Sequence, residues 1–117
     1  MQSSLISSLE SELSLLQERH QTLVFLSPQE LLEKQELACA LYEDARYRES
    51  SDLFAEMCLS DPFKKVFWEG LALSWQKQSR FEEALRIWHI VDLLNKQDLS
   101  LHQKTHSLSF RGTELLI

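Results

Sequence analysis

Apolar residues recur at alternating intervals of three and four positions through the first part of the chain. This spacing is typical of the a and d positions of a heptad repeat, which lie along one face of an α-helix. The pattern predicts a helix over 4–26, within an amphipathic N-terminal segment 1–27. The members of this seam are Ile6, Leu9, Leu13, Leu16, His20 and Leu23.

Two roles are open for the N-terminal seam. It can cap the following helix, 28–44, within the same chain, or it can associate with a second copy of the chain or with a helix of another protein. His20 is its only polar member. Because a protonated imidazole in the seam disfavours close pairing, association through it is expected to weaken below about pH 6.

Capping signals divide the rest of the chain into further helices. A capping box at 27–30, with proline at the first helical position, predicts a helix over 28–44. Asp61 followed by Pro62 is interpreted in the same way, as the N-cap and the first residue of a later helix. Gly112 is placed to end the last helix as its C′ residue. The remaining helices are predicted over 46–59, 62–77, 81–95 and 99–111.

Two blocks of the sequence, 31–64 and 65–98, align without a gap at an offset of 34 residues. A repeat of this length that contains two helices is the tetratricopeptide spacing. Small residues allow the two helices of a repeat to approach closely, and aromatic residues fill the gaps between repeats. The aligned pairs include Leu37 with Leu71, Ala38 with Ala72, Tyr47 with Phe81, Ser50 with Ala84, and Phe54 with Trp88.

The predicted fold class is therefore all-α. We expect a tetratricopeptide-like stack of antiparallel helix pairs with an N-terminal heptad helix and a C-terminal capping helix. Because two repeats alone expose apolar ends, the flanking helices are expected to cover the stack. The repeat domain is predicted to span 28–117, with 99–117 as a partial third repeat.

Composition supports one helical domain and argues against two classes of function, nucleic-acid binding and membrane insertion. Of 117 residues, 44% are hydrophobic, which is enough to form the core of one domain. The chain has only two glycines and two prolines, too few for the tight turns of an all-β domain. The net charge of −6 argues against nucleic-acid binding, which needs clustered lysine and arginine. No apolar run approaches the ~20 residues of a membrane span, so we expect no membrane insertion. Cys39 and Cys58 lack ligand or redox-motif spacing, which indicates reduced thiols in a cytoplasmic protein.

Candidate catalytic chemistry is sparse. His102 and His106 share a helix face, but a zinc protease would have glutamate where Gln103 stands, and glutamine cannot act as the general base. Gly70 and Gly112 stand alone, so no glycine-rich phosphate loop is present in the sequence. We therefore expect no enzymatic activity, no cofactor and no metal site.

Part of the second repeat resembles a known family. Phe67-Trp68-Glu69-Gly70-Leu71, together with Gln76 and the stretch 57–61, resembles the tetratricopeptide chaperones of bacterial type III secretion. The similarity is greatest to the SycD/LcrH-like translocator chaperones. The short chain also resembles the needle-subunit chaperones of the same apparatus, which bind a small helical co-chaperone. The resemblance implies a chaperone of the bacterial cytoplasm that holds a secreted client, a translocator or a needle subunit, before export.

The resemblance also implies a client-binding groove. In tetratricopeptide stacks the first helix of each repeat lines the concave surface, and register assigns five inward positions to each block. The mixture of apolar and hydrogen-bonding side chains suits an extended segment, with Tyr42 and Leu73 as apolar anchors and Glu69 and Gln76 as polar contacts. The predicted groove residues are Leu32, Gln35, Cys39, Tyr42, Glu43, Val66, Glu69, Leu73, Gln76 and Lys77.

Other interpretations stay open. The groove residues can form an ordinary solvated helix face. The chain can also be a small tetratricopeptide scaffold that joins folded partners, with the heptad helix as its assembly arm. A homodimer through that helix is a further expectation.

Overall fold

Five α-helices make up almost all of the chain that is described. The computed structural model describes residues 2–19 and 25–105, with the side chains of 4–19 and 25–97. No strand occurs in these ranges, so the predicted all-α class is confirmed. The helices are α1 (Gln2–Arg19), α2 (Pro28–Glu43), α3 (Tyr47–Ser60), α4 (Lys65–Lys77) and α5 (Phe81–Thr105).

The start of α2 follows its local sequence. The backbone N–H of Glu30 donates to Ser27 Oγ at 3.1 Å, and the backbone N–H of Ser27 donates to Glu30 Oε1 at 2.9 Å. These hydrogen bonds to the Ser27 backbone and side chain lower the pKa of the Glu30 carboxyl. With Pro28 at the first helical position, the predicted capping box is confirmed.

The start of α4 differs from the prediction. Asp61 does not act as the N-cap, and Pro62 is not the first helical residue, because α4 begins at Lys65. Asp61 instead follows the end of α3, and Pro62 lies in the turn between the two helices. The indole N–H of Trp68 donates to the Pro62 carbonyl at 2.7 Å. Trp68 is fully buried, and its indole N–H needs an acceptor, which the turn supplies.

Helix α5 is longer than predicted. The sequence pattern predicts one helix that ends at 95 and another that begins at 99, whereas α5 continues from Phe81 to Thr105. The residues between, 96–98, include no glycine or proline, so nothing in them stops a helix. The rest of the predicted last helix, together with Gly112, lies outside the described residues.

The α2–α3 and α4–α5 turns have the same geometry. Ala45 and Ser79 both have a left-handed backbone, with φ of 63° and 64°. In the first turn the backbone N–H of Arg46 donates to the Leu41 carbonyl at 2.8 Å, and in the second the N–H of Arg80 donates to the Trp75 carbonyl at 2.9 Å. Each acceptor is the third residue from the end of its helix. The left-handed residues donate to Tyr42 and Gln76, each at 3.0 Å. Both turns are Schellman motifs, 34 residues apart.

Consecutive helices from α2 to α5 pack against one another, and α2 also contacts α4. Small residues lie where the helices of each pair meet: Ala38 and Ser50, and Ala72 and Ala84, are all at most 1% exposed. Between the pairs, the ring of Phe54 presses on Gly70, where a Cβ atom would lie 2.3 Å from the ring. This contact explains the glycine in the middle of α4.

Helix α1 packs against α5 and α3. Leu9 and Leu16 of the predicted seam are buried, but Ile6 is 42% exposed, and Leu5 and Glu12 are buried beside them. The buried face is therefore rotated from the predicted seam and includes Glu12, whose Oε2 lies 2.6 Å from Arg86 Nε of α5. The buried leucines belong to the chain's own core, and Leu13 packs partly against it. His20 and Leu23 lie outside the described residues.

Candidate functional site

The ten predicted groove residues lie on α2 and α4, which contact each other. We call this surface the α2–α4 face. None of its members is fully buried, because the core-facing residues of α2 and α4 lie on the opposite sides of these helices. Four are half-buried, namely Gln35, Tyr42, Val66 and Glu69, and six are exposed, namely Leu32, Cys39, Glu43, Leu73, Gln76 and Lys77.

Tyr47, at the start of α3, joins the two helices of this face. The rings of Tyr42 and Tyr47 meet edge to face, with centroids 5.2 Å apart. The ammonium of Lys77 lies 5.9 Å from the centroid of the Tyr47 ring, within cation–π range. The repeat pattern predicts that Tyr47 packs between repeats, and no sequence signal places it on this face, because both contacts use its ring and depend on how α3 packs against α2 and α4.

Gln76 is already engaged within the chain. Its side-chain oxygen accepts a hydrogen bond from the indole N–H of Trp88 on α5. This bond fixes the amide and leaves its NH2 group as the donor that a bound segment can use. Trp88, a half-buried residue that sequence reasoning placed in the core, therefore positions a residue of the α2–α4 face.

The two thiols are poor nucleophiles. Desolvation, followed by the nearby Glu43 carboxylate, raises the pKa of the Cys39 thiol. Complete burial raises the pKa of the Cys58 thiol well above its ordinary value. Both cysteines are free, and a neutral thiol neither attacks nor binds metal effectively.

A second surface of α2 is uncovered, although its counterpart in α4 is packed. Leu37 is 52% exposed, whereas Leu71, at the equivalent position 34 residues later, is fully buried. Ala40 is likewise exposed and its counterpart Ser74 buried. In α4 this side packs on α3; within the described ranges no helix covers it in α2. We call Glu33, Glu36, Leu37 and Ala40 the open face of α2.

The open face is acidic. Glu33 and Glu36 are exposed beside its apolar residues. Lys34, the one cation of α2, lies 3.4 Å from Glu56 of α3. Glu36 also occupies the position that Gly70 holds in α4, so a helix carrying an aromatic cannot approach α2 as closely as α3 approaches α4.

The described residues contain no group of three or more histidine, cysteine, aspartate or glutamate side chains placed to hold a metal ion. His102 and His106 lie beyond the residues whose side chains are described. No helix in the described part of the chain is both long enough and apolar enough to span a membrane.

Comparisons of the chain with protein-family models, with curated protein sequences and with solved structures gave no match.

Proposed function

We propose that this chain is a non-enzymatic chaperone that holds a segment of a client protein against the α2–α4 face. The observation that carries the proposal is the accessibility of apolar side chains on two contacting helices. Leu32 and Leu73 are 55% and 41% exposed, and Tyr42 is half-buried with its ring against Tyr47. Polar side chains at the same surface can bond the peptide groups of a bound segment.

The client that we propose is a secreted subunit of a type III secretion system, a translocator or a needle subunit, held in the bacterial cytoplasm before export. The support is the tetratricopeptide-like repeat together with the resemblance of 57–61 and 67–71 to chaperones of that apparatus. Shielding an aggregation-prone segment needs apolar contact area, which Leu32, Tyr42 and Leu73 supply on the α2–α4 face.

The open face of α2 supports a second partner, a small helical co-chaperone. In α4 the equivalent surface is covered by a helix, so a helix has the right shape to cover α2. The surrounding Glu33 and Glu36 favour a partner whose helix carries lysine or arginine at the edges of an apolar stripe. The same surface would serve the alternative function, a scaffold that joins two folded proteins.

Co-expression of the full chain with candidate secreted subunits tests the proposal. The parent should keep an otherwise insoluble client in solution, whereas Tyr42→Ala and Leu73→Glu should each lose it. Loss of a central anchor costs on the order of 2 kcal/mol, roughly 30-fold in affinity.

Leu15→Glu is the matched control, because Leu15 of α1 is 45% exposed, similar to Leu73, and lies off the α2–α4 face. Melting temperatures of all variants separate binding from folding. Equal client retention by the parent and both α2–α4 variants would show that the client binds elsewhere. A partner that is soluble without the chain would favour the scaffold.

A further inference from the structure

Helix α5 has an uncovered apolar side. Leu85 is 69% exposed and Phe81 63% exposed, and Trp88 is half-buried beside them. On α3, which α4 covers, the counterparts of Leu85 and Trp88 are Ser51 and Phe54, and these are only 2% and 4% exposed. We call the surface of Phe81, Leu85 and Trp88 the α5 end face. It has the position of an interface between repeats, and no helix of the described ranges covers it.

The contact between α3 and α4 shows what such a surface accepts. The ring of Phe54 lies against Gly70 of α4, where a Cβ atom would lie 2.3 Å from the ring. The two helices run antiparallel, since Gln78, just beyond the end of α4, donates from its amide to the carbonyl of Tyr47 at the start of α3, at 3.1 Å. The α5 end face is therefore expected to accept an antiparallel helix with a small residue against Trp88.

A later part of the same chain has the pattern of α4. Residues 108–117, which lie outside the described residues, read LSFRGTELLI and align with VFWEGLALSW at 66–75. Gly112 matches the glycine of α4, Phe110 matches the aromatic residue two positions before it, and Leu115 matches a leucine. We call 108–117 the C-terminal segment. Its pattern predicts a helix that packs as α4 does, with Gly112 against an aromatic ring.

The α5 end face and the C-terminal segment also differ from α3 and α4 in a compatible way. Where α3 has the buried Cys58, α5 has Asp92, an exposed residue whose carboxylate lies 3.3 Å from the ammonium of Lys96. In the antiparallel register of α4 on α3, the C-terminal segment brings Ser109 near Asp92. The Ser109 hydroxyl can donate to this carboxylate, so a polar pair replaces an apolar contact.

The C-terminal segment is too close in sequence to α5 to reach the α5 end face of its own chain. Helix α5 continues to Thr105, about 25 Å beyond Trp88 along its axis. Because a packed helix also lies about 9 Å to the side, Gly112 would have to lie about 27 Å from Thr105. Residues 106–112 span at most about 24 Å when fully extended, and a helical part shortens them further.

We propose that the C-terminal segment of one copy of this chain docks on the α5 end face of a second copy, and that the exchange is reciprocal. The continuous α5 carries each segment away from its own end face, so a two-fold exchange covers both end faces and closes the assembly as a dimer. Gly112 then takes the part of Gly70 against Trp88 and does not act as a helix C′ residue. No client takes part in this contact, so it is measured on the chain alone.

The mass of the full chain in solution tests the exchange. By light scattering the parent should have twice the 13.7 kDa of one chain. Gly112→Leu places a side chain against Trp88, and Leu85→Glu places a charge on the α5 end face, so each should yield a monomer. Leu37→Glu is the matched control, because Leu37 is 52% exposed on the open face of α2, and this variant should remain a dimer.

Mixing the two monomeric variants distinguishes exchange from direct contact between two end faces. The intact segment of Leu85→Glu fits the intact end face of Gly112→Leu, so an equimolar mixture should form a heterodimer. Circular dichroism should show the same helix content in every variant, because Leu85 and Leu37 are exposed and Gly112 lies outside the described fold.

Four results would overturn the proposal. A monomeric parent would show that no second copy docks. Loss of the dimer in Leu85→Glu but not in Gly112→Leu, or no heterodimer in the mixture, would show that two end faces meet directly. Loss of the dimer in Leu37→Glu would place the second copy on the open face of α2.

Discussion

Ala45 and Ser79 share a left-handed backbone conformation, with φ of 63° and 64°, although neither residue is glycine. Each stands just beyond the end of a helix, where it completes the Schellman motif that leads into the next helix. An L-amino acid in this conformation brings its Cβ atom close to a carbonyl oxygen. The two turns therefore store a small conformational strain.

Ala45→Gly is expected to raise the free energy of unfolding by about 0.5–1 kcal/mol. Glycine removes the left-handed strain, and the larger entropy of the unfolded chain offsets part of the gain. Ala40→Gly is the matched control, because Ala40 is a solvent-exposed residue in the helical part of α2. Glycine there should lower the free energy of unfolding by about 1 kcal/mol. Urea unfolding of both variants gives the comparison. A loss of stability in Ala45→Gly equal to that in Ala40→Gly would contradict the strain.

Gly70→Ala is expected to destabilise the chain by about 1–3 kcal/mol, despite the better helix propensity of alanine. The added Cβ would lie 2.3 Å from the buried Phe54 ring, which is packed and has little room to move. Phe54→Ala removes all three ring atoms in conflict, Cδ1, Cε1 and Cζ. In that background Gly70→Ala should become neutral or stabilising by up to about 1 kcal/mol. A double-mutant cycle by chemical denaturation measures this coupling, and purely additive effects would refute it.

Glu83 is expected to make stability depend on pH. Its hydrogen bonds with Arg80 at 2.6 and 2.7 Å, and then with Arg19 at 2.9 Å, lower the pKa of its carboxyl. Because the folded-state pKa lies below the unfolded value of 4.5, this stabilisation is complete above that value. It is lost as pH falls through the folded-state pKa.

Glu83→Gln should therefore reduce stability at pH 7, and its difference from the parent should shrink as the pH falls below about 4.5. Glu49→Gln is the control from the equivalent position, where the Arg46–Glu49 pair has the same 2.6 Å distance but is more exposed. Its effect should be smaller because solvent screens an exposed pair. Thermal melts between pH 2.5 and 7 measure both, and a constant difference across that range would be inconsistent with the linkage.

Replacing Arg86 and replacing Glu12 should lower the free energy of unfolding by different amounts, although the two residues form one ion pair. Arg86 is 46% exposed at its side chain, whereas Glu12 is 7% exposed. Arg86→Met leaves a buried carboxylate without its counter-charge and should cost about 2–3 kcal/mol. Glu12→Leu leaves an arginine that water can solvate and removes the unpartnered Oε1, so it should change stability by less than about 1 kcal/mol. Equal losses in the two variants would show that the pair stabilises mainly by mutual attraction.

The candidate site was predictable in part. The register of the repeat assigned ten residues to one side of α2 and α4, and all ten have accessible surface. The contacts of Tyr47 with Tyr42 and Lys77, and of Gln76 with Trp88, were not predictable. They join residues of different helices, and their geometry depends on how the helices pack rather than on any local pattern.

The sequence by itself determined the elements whose boundaries depend on neighbouring residues. The all-α class follows from composition, and the start of α2 follows from Ser27, Pro28 and Glu30, which lie within one helical turn. Tertiary structure decided the elements for which the local sequence allows more than one helix boundary or more than one buried face. Pro62 could begin a helix, but its carbonyl serves the buried Trp68 instead. Helix α1 carries more apolar residues than one face needs, and its packing against α5 and α3 decides that Leu5, Leu9 and Leu16 are buried while Ile6 is exposed. In both cases the outcome depends on contacts between separate parts of the fold, a hydrogen-bond acceptor for the buried indole of Trp68 and the packing partners of α1, which the spacing of residues along the chain does not specify.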